Sequence, residues 1–220
     1  HRRHAKVREN YSRRFRIRFP NEELPAARPL RMTPVYDRLK AKGAVFGAAF
    51  GLEHALWFAA AGVEPREDVT YRRSNAHRYV GNECRAVRNA VGLLEISTFS
   101  RYQVSGAGAT AWLDRVLAGR LPREGRLALS PMLNANGRLI GDFTVANAGG
   151  GRYFVFGSGI AEQYHLRWFE SQLPPTGVTL QSLRGAMLGL AIAGPKSREL
   201  LARVCRDDVT DAAFPFLAVG

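Results

Sequence analysis

Three runs decide the fold: Leu127-Ala-Leu-Ser-Pro-Met-Leu133, Arg138-Leu-Ile-Gly-Asp-Phe-Thr-Val-Ala-Asn147 and Tyr153-Phe-Val-Phe156. Between them lie Asn134-Ala-Asn-Gly137 and the glycine run Gly149–Gly151, both turn signals. Apolar segments of this length punctuated by turns read as three strands of an antiparallel meander. Working outward, Ala109, Trp112, Leu113, Val116 and Leu117 recur at i, i+3, i+4, i+7 and i+8, a helical stripe that Gly119 is placed to end. Ile160 to Gln172 reads as a second helix, with Tyr164, His165, Trp168 and Phe169 near its apolar side and Pro174-Pro175 closing it. Asn82 to Gly92 reads as an amphipathic helix whose Cys84, Val87, Val91 line directs Cys84 into the core. Leu188 to Ala193 is expected as a short buried strand. Gly194-Pro195 then opens a helix with Leu200, Leu201, Val204 and Cys205 inside. The fold class is α+β, an antiparallel meander with packed helices.

The chain has 220 residues, 46% hydrophobic and 23% charged, enough to bury a core, which excludes whole-chain disorder. Its apolar runs, Gly43 to Phe50 and Leu56 to Val63, are broken by Glu53, His54 and Glu64 short of the roughly 20 residues a span needs, so no integral membrane protein is expected. The chain starts without Met or a targeting signal, as a piece cut from a longer protein would. Cys84 and Cys205 stand far apart without metal-ligand neighbours, so no metal site is expected and a reducing compartment is the default. The net charge of +13 is concentrated early: residues 1–40 hold 12 basic and 4 acidic side chains. There Arg14-Phe-Arg-Ile-Arg-Phe19 alternates as a strand would, with three guanidiniums on one face. Such a face could grip nucleic acid, lie in solvent or pack on other protein; no nucleic-acid-binding signature accompanies it. Pro20, Pro25, Pro29 and Pro34 make residues 20–37 an irregular connector, and Val35 to Lys42 a short helix. Gly62 to Tyr71 reads as a linker, with a boundary near residue 70.

Gly106-Ala-Gly-Ala-Thr-Ala111 has the GxGxxA form of a dinucleotide turn. The strands that follow form a hairpin, not a parallel return, so the glycines read as a tight strand-to-helix turn. There is no GxSxG or HExxH, and His165 reads as a packed helix residue. Asp142 is the informative polar residue. Alternation sets Leu139, Gly141, Phe143 and Val145 on one face of its strand and Ile140, Asp142 and Thr144 on the other, so both are largely apolar and a partly buried carboxylate is expected. Such a group either bonds local backbone or is kept for a ligand; spacing leaves both open.

Several motifs carry a family resemblance. Arg14-Phe-Arg-Ile-Arg-Phe-Pro20, Ala26-Ala-Arg-Pro-Leu-Arg31, Thr33-Pro-Val-Tyr-Asp-Arg-Leu39, Gly43-Ala-Val-Phe-Gly47, Trp57-Phe58, Arg73-Ser-Asn75 and Glu83-Cys-Arg-Ala-Val-Arg88 resemble the junction of flavin-dependent dimethylglycine and sarcosine dehydrogenases. Leu133-Asn134, Gly137, Asp142-Phe-Thr-Val145, Gly157-Ser-Gly159, His165, Trp168, Gly189-Leu-Ala-Ile-Ala-Gly-Pro195 and Phe214-Pro-Phe216 resemble their C-terminal folate-binding part, related to the aminomethyltransferase (T-protein) of glycine cleavage. The resemblance implies residues 1–70 as the tail of a flavoprotein region and 71–220 as the first, truncated part of a folate-binding domain. It implies tetrahydrofolate with an incomplete site here and FAD in an upstream domain. The implied activity is oxidation of an N-methyl amino acid with capture of its one-carbon unit on folate, the isolated fragment being inactive. Asp142 matches the family's aspartate, which makes it the catalytic and folate-binding residue. Implied partners are the amine, folate and the rest of the polypeptide, without nucleic acid or membrane, in the cytoplasm or the mitochondrial matrix. His54-Ala55 and Gly157 depart from the usual pattern and leave the amine open. The competing readings are an aminomethyltransferase without redox chemistry and a non-catalytic basic binding module.

Overall fold

Residues His1–Ile96 and Leu188–Ser197 form the first of two units in the computed structural model, which describes every residue from His1 to Gly220. Its elements are α1 (Arg2–Ser12), α2 (Tyr36–Ala41), β1 (Ala44–Ala49), β2 (Leu52–Phe58), α3 (Ala76–Asn89), β3 (Gly92–Glu95) and β9 (Leu190–Ala193). The alternating Arg14–Phe19 segment is not a strand. Arg13 and Arg16 both pair with the Glu22 carboxylate, and successive turn bonds run from Arg14 N to Tyr11 O and from Arg16 N to Arg13 O. With no neighbouring strand to hydrogen-bond it, alternation alone does not extend the chain. The proline-rich connector is irregular as expected, and α2 falls within the expected 35–42 helix.

The small-residue stretch from Gly43 forms a hairpin, β1 antiparallel to β2. Helix α3 packs on it: Trp57, Val45, Ala59 and Ala76 are buried, and the Tyr79 ring stacks on Trp57 at 5.3 Å. Farther along the same helix, Glu83 accepts from the Phe58 amide at 2.9 Å. The packing face is therefore Ala76, Tyr79 and Glu83, and Cys84 is exposed instead of buried. β3 and β9 pair antiparallel as a two-stranded ribbon. A ribbon leaves much of each strand in solvent, so Leu190 is 49% exposed where a buried strand was expected.

The second unit comprises Ser97–Met187 and Arg198–Gly220. Its sheet holds β4 (Ser100–Ser105), β5 (Arg126–Leu133), β6 (Leu139–Asn147), β7 (Arg152–Gly157) and β8 (Thr179–Ser182) in the order β5-β6-β7-β4-β8, every pair antiparallel. The meander β5-β6-β7 is the one the sequence predicts. Helices α4 (Ala109–Val116) and α5 (Glu162–Ser171) supply Trp112, Leu113, Val116 and Phe169 to a core shared with Tyr102, Val104, Met132, Phe143, Val145, Tyr153 and Val155. All five positions of the α4 stripe are buried, but the helix stops at Val116, with Leu117 already extended; Gly119 instead gives its N–H to Ser130 Oγ at 2.9 Å. Residues 217–219 shield the free edge of β5 through Leu127 N to Leu217 O and Val219 N to Gly125 O. Helix α6 (Ser197–Val204) starts after Gly194-Pro195, yet Val204 is 71% exposed and Cys205 is exposed, so its expected inner face is largely in solvent. No helix is long and apolar enough to cross a membrane.

Candidate functional site

Strand β6 carries the candidate site. Phe143 and Val145 are buried, and Asp142, turned the opposite way, is exposed. This corrects the expected partial burial: the face is buried at Ala146 and Arg101, but its Asp142 end is open to solvent, and Leu129 is 80% exposed. No hydrogen bond or ion pair reaches the Asp142 carboxylate. Local backbone bonding, one of the two roles open to it, is thereby removed.

Residues paired across antiparallel strands share a face. One row runs Leu129, Thr144, Phe156, Arg101, and the next Leu127, Ala146, Phe154, Gln103, Gln181. Asp142 stands one step beyond the first row, opposite Pro131. The Phe154 and Phe156 rings lie 6.5 Å apart and nearly parallel, at 27°. Arg152 holds its guanidinium 5.9 Å from the Phe154 centroid. The surface is therefore a largely apolar shelf of exposed Leu129 and half-buried Thr144 and Phe156, with an unpaired carboxylate at its end. Such a shelf can take a planar heteroaromatic ring by apolar contact, and the carboxylate can accept its N–H groups or a proton.

The buried side fixes this strand. Phe143 meets His165 edge-on at 4.8 Å and Phe169 at 5.4 Å. Tyr102 donates its hydroxyl to Glu162 O at 2.7 Å, and Glu162 pairs with Arg184 at 3.1 Å, anchoring the first turn of α5. Burial pushes the Tyr102 phenol up to about 12, with the neighbouring Glu162 charge acting in the same direction.

The Gly106–Ala111 turn joins β4 to α4, as read from the sequence, but does not fit a flavin diphosphate. Gly108 N–H is already given to Gly177 O at 2.9 Å, and a side chain at Gly106 would stand 2.3 Å from that same oxygen. The room its glycines make is taken by the protein's own backbone.

The sequence singles out Asp142 as a candidate, and the structure adds the surroundings of its strand. Thr144 was placed on the Asp142 face by alternation, whereas Leu129 and Phe156 join it only through strand register, which the sequence does not spell out.

The chain matches the GCVT N-terminal domain over residues 35–220. It is 32% identical over 216 residues to the mitochondrial dimethylglycine dehydrogenase of Mus musculus, a match covering 97% of this chain and 25% of that protein. To the mitochondrial sarcosine dehydrogenase of Homo sapiens it is 27% identical over 249 residues, covering 94% of this chain and 27% of that protein. The chain thus spans about a quarter of the length of these relatives. Its fold is that of the glycine cleavage aminomethyltransferase T of Bartonella henselae, with a TM-score of 0.65 at 22% identity over 79% of this chain and 43% of that one. The resemblance seen in the motifs is borne out, and with 186 of 220 residues inside the matched domain the chain belongs to the GCVT N-terminal domain family.

Proposed function

We propose that this chain forms the tetrahydrofolate-facing wall of an enzyme that demethylates an N-methyl amino acid, with Asp142 as the carboxylate that works on the folate. The observation that carries the reading is the exposed, unpartnered Asp142 carboxylate at the end of the Leu129, Thr144, Phe156 shelf. Its match to the family's aspartate and the dimethylglycine and sarcosine dehydrogenases among the relatives support it. The same reading places an amine-oxidising flavoprotein region, with its FAD, upstream of the matched domain, which starts at residue 35. The mouse and human relatives are mitochondrial by name, which favours the matrix in a eukaryotic cell and the cytoplasm in a bacterial one.

Tetrahydrofolate, when bound, supplies a nucleophilic ring nitrogen for the one-carbon unit. The shelf orients a flat ring by apolar contact and excludes water from one of its faces. Asp142 Oδ1 and Oδ2 accept hydrogen bonds from ring N–H groups and hold the proton released when the nitrogen forms its new bond.

The test is a titration of the 220-residue chain with tetrahydrofolate under anaerobic conditions, comparing wild type with Asp142→Asn. Saturable binding that weakens by about tenfold or more in the variant is expected, the scale of one hydrogen bond to a charged group. Equal affinity in the two proteins would remove Asp142 from the folate site.

A further inference from the structure

We infer that His165 is a positioning residue for Asp142, acting through a β-bulge that its imidazole holds in place. The functional half of this inference rests on Asp142 being the folate carboxylate; the structural half concerns β6 alone.

In the β5–β6 ladder Met132 pairs with Gly141 and Leu133 with Leu139, so Ile140 is passed over. An unpaired extra residue bends its strand and sharpens the local twist, a device that re-aims neighbouring side chains. Its backbone groups, dropped from the ladder, need another partner wherever water does not reach. For the Ile140 carbonyl that partner is His165 Nε2, at 2.9 Å. A carbonyl only accepts, so Nε2 carries the proton. The other nitrogen, Nδ1, is buried without a hydrogen-bond partner.

The imidazole is only 2% exposed and lies against the residues flanking Asp142. The Phe143 ring lies 4.8 Å from it in an edge arrangement. Gly141 leaves the space the ring occupies, since a side-chain carbon there would lie 2.7 Å from Nε2 and 2.9 Å from the Phe143 ring. The mounting is rigid, because α5 is tied to β4 through the Tyr102 to Glu162 bond. Nothing bonds the Asp142 carboxylate on its own face. The direction of Asp142 is therefore set from behind, by Gly141, Phe143 and the anchored Ile140 carbonyl. Without that anchor Ile140 can rejoin the ladder, and the backbone leading into Asp142 turns with it.

The tautomer of His165 can be read in the wild-type 220-residue chain by long-range ¹H–¹⁵N correlation. A proton on Nε2 and a bare Nδ1 are expected; a proton on Nδ1 overturns the inference. Two variants test the consequence. His165→Leu removes the donor, and His165→Gln places an amide N–H near the lost Nε2. In His165→Leu the Asp142 amide and carboxyl resonances are expected to shift, and tetrahydrofolate affinity to fall on the order of tenfold to a hundredfold, as a misplaced group does. His165→Gln is expected to restore both toward wild type at a stability no higher than that of the leucine variant. Unchanged Asp142 resonances in folded His165→Leu, or no recovery in His165→Gln, overturn the inference while leaving the folate reading to Asp142→Asn. If Asp142→Asn does not alter tetrahydrofolate affinity, the folate reading falls, and the Asp142 resonances in the two His165 variants still decide the positioning. Should His165→Leu fail to fold, the wild-type tautomer and His165→Gln carry the decision.

Discussion

Pro131 on β5 stands directly across the ladder from Asp142 on β6. Proline has no N–H to give, and the Pro131 carbonyl accepts from Ala118 N–H at 2.8 Å, so this residue's backbone is engaged away from β6. Opposed residues at such a position bring their side chains closest. The carboxylate is therefore flanked by an apolar ring and left free to bind outside the protein.

Because Asp142 is exposed and bonds nothing, replacing it should not unfold the chain. Asp142→Asn is expected to change unfolding free energy by no more than about 0.5 kcal/mol in urea titration. A loss of several times that would give Asp142 a structural role the geometry does not contain.

Phe143, its neighbour on the other face, is 1% exposed and touches both His165 and Phe169. Phe143→Ala should cost roughly 3–5 kcal/mol through lost burial and the cavity left behind. A loss below about 1 kcal/mol in chemical denaturation would show that the core closes over the gap.

In the first unit, Arg28 grips Glu53 side-on through Nε, at 2.9 Å, and Nη2, and Glu53 is 3% exposed. The Glu53 carboxylate beside it holds the Arg28 guanidinium above its ordinary range. Arg28→Met would strand the buried carboxylate, and a cost of about 3–5 kcal/mol is expected. The double variant with Glu53→Gln should recover much of it. Equal stability of the single and double variants would deny the pair.

Alkaline stability should report Tyr102. Its phenol titrates near 12 when folded against 10 in the unfolded chain, so the neutral form is favoured by folding. That contribution is whole below pH 10 and fades as pH rises through 12, by up to roughly 3 kcal/mol. Tyr102→Phe should lose about 1 kcal/mol at neutral pH with the bond to Glu162 O, yet fall less steeply above pH 10. Parallel curves for the two proteins would place that alkaline loss elsewhere.

The parts of the fold legible in the sequence are those where one periodicity meets one buried face. The α4 stripe is such a case, and so is the meander, whose turns are written as Asn134–Gly137 and Gly149–Gly151. Alternation failed where its premise failed. Arg14–Phe19 had no neighbouring strand, and the Asp142 face is buried at Ala146 but open to solvent at Asp142. Cys84 was misplaced because α3 begins at Ala76, and Tyr79 on Trp57 fixes which face turns inward. The bulge at Ile140 was invisible, since it depends on a histidine 25 residues away on another element.

The proposal that Asp142 serves folate chemistry and not amine oxidation is tested most directly on this chain joined to an amine-oxidising flavoprotein region, with the two half-reactions measured separately. Asp142→Asn should lower formation of methylene-tetrahydrofolate by roughly 10²- to 10⁴-fold, as loss of an acid-base group does, while the rate of amine oxidation stays near wild type. Equal losses in both, or an undiminished folate product, would contradict the account.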